Sequence, residues 1–207
     1  ALWTLSKATH GSSLPITAFA VTGYSSVLVW RNSASRCALA IEPNQSLLYH
    51  RNVRVIDLFL SRVILEIAGA TISFLFLTTL FVTLGMMEPP ADITQIIGGW
   101  IYLSVFGIGL GFIVGALSER SEAAERIWHT VAYLLFPLSG ALFMVDWMPR
   151  AVQKYILLLP MVHGVEMVRG GYFGALVKPH YDIGYMVVAD LVMLLVGLFF
   201  VIDASKR

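Results

Sequence analysis

The sequence predicts an all-α integral membrane protein. Three features predict it: a composition poor in charge, uncharged stretches long enough to cross a bilayer, and arginines gathered in alternate connections. Hydrophobic residues make up 57% of the chain and charged residues 13%, with a mean hydropathy of +0.77. A soluble domain carries about 25% charged residues. The polar surface is too small to face water on all sides, so lipid must solvate much of the molecule.

A bilayer core of roughly 30 Å takes about 20 apolar residues at 1.5 Å each. Five stretches reach or approach that length, at approximately residues 14–41, 58–87, 93–117, 127–146 and 183–202. The first is uncharged through Trp30, and its less apolar tail runs to Ile41. The second and third contain no charge over residues 67–87 and 93–117, and Glu88-Pro89-Pro90 forms a rigid turn between them that extends neither helix. The fourth includes His129 and the fifth Asp190. Residues 155–165 are too short to span and contain Pro160 and His163, which reads as a re-entrant or interfacial helix within a half-embedded region, residues 147–180. Residues 1–207 thus form a single transmembrane domain.

Orientation follows from lysine and arginine in short connections. Arg31, Arg36, Arg51, Arg54 and Arg62 follow the uncharged part of the first span that ends at Trp30, and Arg120 and Arg126 separate the third from the fourth. Lys206-Arg207 closes the chain, whereas residues 88–92 carry no basic residue. The basic connections are expected in the cytosol, which places Ala1 outside and calls for one further span before it. Residues 1–10 accordingly read as the tail of a longer chain.

Four groups of residues are candidates for function. In the basic connection, Pro43 ends the preceding helix and Asn44 can cap a short helix carrying Leu47, Leu48 and Tyr49, with Asp57 capping the next span. Such a helix either docks into a groove on a soluble partner or lies in the headgroups with its arginines on phosphates. In the second group, His163, Glu166 and Arg169 recur every third residue after Pro160, so neighbours share a helix face. They form either a structural ion pair or the polar lining of an outer mouth. Gly107, Gly111 and Gly115 make two overlapping G-x-x-x-G repeats, which allow another helix backbone to approach closely. Glu66 and Asp190 are acids at membrane depth; Glu66 lies one turn past Arg62 and can pair with it, and Asp190 can face a wet pathway or snorkel outward. Trp100, Trp128 and Trp147 fall near expected span ends, as an interfacial belt requires.

The exclusions are informative. A net charge of +1 gives no global field for nucleic acid, and the single Cys37 allows no internal disulfide or thiolate cluster. No H-E-x-x-H, G-x-x-x-x-G-K-[ST] or G-x-S-x-G pattern occurs, so neither a metal site, nor a bound nucleotide, nor any other cofactor is expected in this chain.

The stretch Ala40-Ile41-Glu42-Pro43-Asn44-Gln45-Ser46-Leu47-Leu48-Tyr49-His50-Arg51, followed by Val55-Ile56-Asp57 and by Arg62 to Glu66, resembles the KpsM-like permeases of capsular polysaccharide ABC exporters. Pro160, His163, Glu166 and Arg169 match that family's P-x-x-H-x-x-E-x-x-R signature before the last span. The family belongs to the type-2 ABC exporters, together with O-antigen and teichoic-acid permeases. The resemblance implies a homodimer of six-span subunits in the bacterial inner membrane, each docked on a cytoplasmic P-loop ATPase subunit that binds the ATP and Mg. It implies a coupling helix within residues 42–57, falling on Asn44, Gln45, Leu48, Tyr49 and Arg51. It also places His163, Glu166 and Arg169 at the outer mouth. A polysaccharide substrate, a periplasmic adaptor and an outer-membrane channel complete the set of implied partners. An N-terminal interface helix and a first span are implied as well, and neither is present in these residues.

Overall fold

The computed structural model describes residues 14–44, 46 and 53–205. Within them every regular element is helical: α1 (Ile16–Ala38), α2 (Val55–Thr83), α3 (Ile93–Arg120), α4 (Glu122–Leu138), α5 (Arg150–Ile156), α6 (Pro160–Phe173) and α7 (Ile183–Ala204). Short 3-10 turns lie at Glu42–Asn44, Val145–Trp147 and Gly174–Leu176.

Side-chain caps set several of the boundaries. Asp92 Oδ1 accepts from the Gln95 N–H at 3.1 Å, Ser121 Oγ from Ala123 at 3.2 Å, and Asp182 Oδ1 from Tyr185 at 3.1 Å. Each satisfies an amide that a helix start leaves without an intrahelical partner. Asp57 serves α2 from inside its first turn, accepting from the Arg54 N–H at 2.9 Å.

Helices α2, α3 and α7 are long and apolar enough to cross a membrane. Helix α1 is as long as α7 but more polar, because Thr22, Ser25, Ser26 and Ser33 lie buried along it. The Thr22, Ser26 and Ser33 hydroxyls donate to the carbonyls of Ala18, Thr22 and Val29 one turn earlier, at 2.8, 2.7 and 2.6 Å, so they need no outside partner. Helix α4 stops at Leu138, well short of the expected end near residue 146. Pro137 removes a backbone donor in its last turn, and Gly140 takes a positive φ of 84°.

Helix α3 is the hub, packing on α1, α6 and α7. Glycine makes this possible on three faces. A methyl at Gly107 would stand 3.0 Å from the Trp30 Cα, at Gly111 3.1 Å from the Cys37 Sγ, and at Gly115 2.8 Å from the Phe59 ring. The repeat seen in the sequence therefore lies against α1 and the start of α2. Gly109 and Gly197 abut each other where α3 crosses α7, and Gly99 meets Val168 of α6. The tryptophans lock helices together as well as sitting near span ends. Trp100 Nε1–H donates to Thr71 at 2.9 Å while its ring stacks on Phe74, and Trp128 Nε1–H donates to Ser35 at 3.0 Å.

Candidate functional site at the α6 cap

Helix α6 begins with Pro160 at a position where a missing N–H costs nothing. The Pro160 carbonyl accepts from the Tyr102 hydroxyl at 2.9 Å. From there His163, Glu166 and Arg169 step along the helix. Three residues turn it by about 300°, so each side chain is rotated about 60° from the last. The series fans across three neighbours instead of facing one.

His163 is 4% exposed and bridges two loops. One ring nitrogen, Nε2, lies 2.8 Å from the Leu157 carbonyl, and the other, Nδ1, accepts from the Asp182 N–H at 3.0 Å. This pairing assigns the neutral tautomer with the proton on Nε2. Burial holds the imidazole below its ordinary range, opposed by the Leu157 hydrogen bond and by the nearby Asp182.

Glu166 is fully buried. Its Oε1 accepts from the Val145 N–H and its Oε2 from the His180 N–H, both at 3.0 Å. Burial raises the carboxyl above its usual range, and the two amides and the Arg169 charge pull it back.

Arg169, also fully buried, closes the broken end of α4. Nη1 donates to the carbonyls of Gly140 and Phe143, the latter at 2.6 Å, and Nη2 donates to Ala141 at 2.6 Å. These carbonyls lie in the turn beyond the end of α4, where buried backbone oxygens need a donor. A planar guanidinium with five donors is the side chain suited to several of them at once, and the positive charge also suits a helix C-terminus. Its plane lies over the Phe19 ring of α1, 3.8 Å from the centroid. Gly23 leaves the room: a methyl there would collide with the guanidinium. Burial lowers the Arg169 pKa to about 9, opposed by Glu166, so the group is charged at neutral pH.

The direct Glu166–Arg169 ion pair expected from spacing does not form; no contact between the two falls within 4 Å. Each charge is instead satisfied by backbone. The far end of α6 is tied down in the same way. Asp92 and Ala91 donate their N–H groups to the Gly171 and Tyr172 carbonyls at 2.7 and 3.2 Å, and the Tyr172 hydroxyl donates to the Glu88 carbonyl. Helix α6 thus fastens the 139–149 turns, the 174–182 segment and the turn between α2 and α3 into one cap.

The other expected residues lie elsewhere. Asn44 donates its side-chain amide to the Ala40 carbonyl at 2.8 Å, just past the end of α1. Gln45, Leu48, Tyr49 and Arg51 fall outside the described residues. Glu66 pairs with Arg36 of α1 at 3.1 Å, across helices, and not with Arg62 of its own helix. Asp190 lies buried on the stripe Met186, Asp190, Gly197 and Val201, with no hydrogen-bond partner for Oδ1 among the described residues. Sequence reasoning missed Arg36, and it missed the Arg120–Asp203 pair that ties α3 to α7. Both join residues far apart in the chain, and only an acid at a span end that needs a cation hinted at either.

With this geometry in place, the chain can be set beside known proteins. The ABC-2 type transporter profile matches residues 44–173, well over half of the chain. The chain belongs to the ABC-2 type transporter family. It is 44% identical over 205 residues to the capsule polysaccharide export inner-membrane protein CtrC of Neisseria meningitidis serogroup B, covering 99% of this chain and 77% of that protein. It is 40% identical, over the same shares, to the capsule polysaccharide export inner-membrane protein BexB of Haemophilus influenzae. The polysialic acid transport protein KpsM of Escherichia coli is 24% identical over 186 residues, 90% of this chain and 71% of that protein. Within this ABC-2 transporter the α6 cap closes the matched region, which ends at Phe173.

Proposed function

We propose that this chain is the membrane-spanning permease subunit of an ATP-driven exporter that carries capsular polysaccharide from the cytoplasm to the periplasm. The observation that carries the reading is the 44% identity to a capsule polysaccharide export inner-membrane protein across 99% of the chain, beyond the region the family profile covers. Three long apolar helices agree with a multi-pass protein of the inner membrane. In this reading α1 and α4 also cross, giving five spans, and a sixth precedes residue 1. Two copies enclose the glycan path. Residues 42–57, with Asn44, Gln45, Leu48, Tyr49 and Arg51, meet a cytoplasmic ATPase that holds ATP and Mg. The cap around Pro160, His163, Glu166 and Arg169 stands at the periplasmic mouth, where an adaptor and an outer-membrane channel take the polymer onward.

What supports a mechanical role for the cap is its bonding. His163 and Glu166 place their hydrogen bonds on this chain's own backbone, and so does Arg169 apart from a contact to the Met144 sulfur and from Nε, which has no partner among the described residues. That leaves little to grip a sugar. The cap then works as a rigid rim that keeps α3, α4 and α7 in fixed relation at the outer side. Motion from ATP enters at the opposite end as a rigid-body displacement of the hinge-and-shear kind.

The docking assignment is tested by reversing Arg51 to Glu together with Tyr49→Ala in the full-length protein. The expected result is loss of the co-purifying ATPase and of surface polysaccharide, with membrane abundance retained. Co-purification at wild-type yield with normal ATP turnover would overturn it.

A further inference from the structure

Toward the cytosolic ends of α1 and α4 lies a cavity of about 260 Å³, lined among others by Arg31, Asn32, Ser35, Arg36, His129 and Tyr133. Its charges are unevenly balanced. Arg36 is neutralised by Glu66 at 3.1 Å, and His129 faces Glu125 at 4.0 Å. Arg31 has no carboxylate within that distance among the described residues. Its guanidinium lies 5.6 Å from the Phe136 ring centroid and 6.0 Å from that of Tyr133.

Depth makes this arrangement informative. The first turn of α4 carries Glu122, Glu125 and Arg126 and belongs in the aqueous layer. Tyr133 and Phe136 lie roughly 16 and 21 Å along the axis from Glu122. Arg31 itself lies about 10 Å inside the cytosolic end of α1. Its head group therefore points away from the cytosol, against two aromatic faces, instead of snorkelling to the interface. A cation held at membrane depth calls for an anion beside it. Neutral donors wait in the same cavity: Ser35 already accepts from Trp128 and keeps its own O–H for a ligand, and Asn32 lines the wall.

We infer that the Arg31 cavity binds the phosphate of an anionic phospholipid drawn from the inner leaflet. Basic pockets between helices on the cytosolic side are suited to such head groups. The inference rests on the cytosolic placement of these helix ends in the exporter reading and adds a resident lipid to it.

The test uses the full-length chain with its ATPase, in nanodiscs of phosphatidylcholine mixed with phosphatidylglycerol and with neither ATP nor glycan present. Native mass spectrometry counts the lipids that stay bound. One arginine near the membrane surface favours the anionic lipid about fivefold. Wild type should retain phosphatidylglycerol over phosphatidylcholine by that factor. Arg31→Gln should bring the ratio close to one, and Arg31→Lys should keep at least half of the preference. Equal retention of the two lipids by wild type overturns the inference without any variant, and so does an unchanged ratio in Arg31→Gln. Displacement of phosphatidylglycerol by an added sialic acid oligomer also overturns it, and gives the cavity to the cargo. Polysaccharide at the cell surface is scored separately, so failure of the exporter reading and failure of the lipid site are told apart.

Discussion

In the cap, Glu166 and Arg169 are fully buried, and their hydrogen bonds fall almost entirely on main-chain groups of this chain. At the opposite end, the inner rim in the proposed topology, Arg36, Glu66, Arg120 and Asp203 are all partly exposed and bind side chain to side chain between helices. The two regions use charge for different ends. A buried charge wrapped in backbone fixes one geometry, because any displacement strands several polar groups at once. A half-exposed pair between two helices can break and re-form, with water or headgroups standing in. On the proposed topology the outer end is therefore built to stay and the inner end to move, which would suit a transporter driven from the cytosol.

The sharpest way to break this contrast is to remove Arg169. Arg169→Met strands the carbonyls of Gly140, Ala141 and Phe143 and removes a nearby positive charge that favours the Glu166 carboxylate. A loss of about 3–5 kcal/mol is expected. The readout is recovery of monodisperse protein after detergent extraction, which should collapse. Arg169→Lys keeps the charge but not the planar fork and should recover only part. Wild-type recovery and melting in Arg169→Met would mean that the cap is not held this way.

Next in size is packing of the hub. Gly111→Leu drives a side chain into Cys37 and Val63, with about 1–3 kcal/mol lost to overpacking. Gly69→Leu on α2 meets nothing within 4 Å and should stay within about 0.5 kcal/mol of wild type. Thermal melts of the two variants side by side check this, and equal losses would contradict the hub.

A pH effect is expected at His163. Because burial lowers the folded-state pKa, the unfolded chain takes up the proton first as the medium acidifies. The cap's stability is thus full above about pH 6.5 and declines below it. Melting temperature should fall between neutral and mildly acidic pH in wild type, and less so in His163→Gln, which keeps a donor and an acceptor. Parallel profiles for the two proteins would place the acid sensitivity elsewhere.

How much of this could be read from the sequence depended on how local the signal was. The apolar stretches located α2, α3 and α7 within a few residues, because length and absence of charge are properties of single segments. The glycine repeat pointed to a close approach, although it did not say which helix approached. The P-x-x-H-x-x-E-x-x-R series placed all the cap's buried charges on one helix. Its spacing suggested a mutual ion pair, since i, i+3 neighbours lie close together. The fold instead had carbonyls to satisfy in the turn beyond α4, at Gly140, Ala141 and Phe143, a demand invisible from α6 alone. Glu66 failed in the same manner: the Arg62 partner close in the chain lost to Arg36 close in space.

That last exchange gives the smallest and most discriminating measurement at the inner rim. A double-mutant cycle on Arg36→Gln and Glu66→Gln should return a coupling of about 0.2–1 kcal/mol, because the Arg36 side chain is 63% exposed. The corresponding cycle on Arg62 and Glu66 should return none. If the inner rim is the part that moves, weakening the α1–α2 pair should change the rate of ATP-driven transport more than it changes the melting temperature. A purely structural pair would shift both together or neither. The comparison of transport rate with melting therefore tests whether the weak pairing at this end is used in the transport cycle or is only a consequence of exposure.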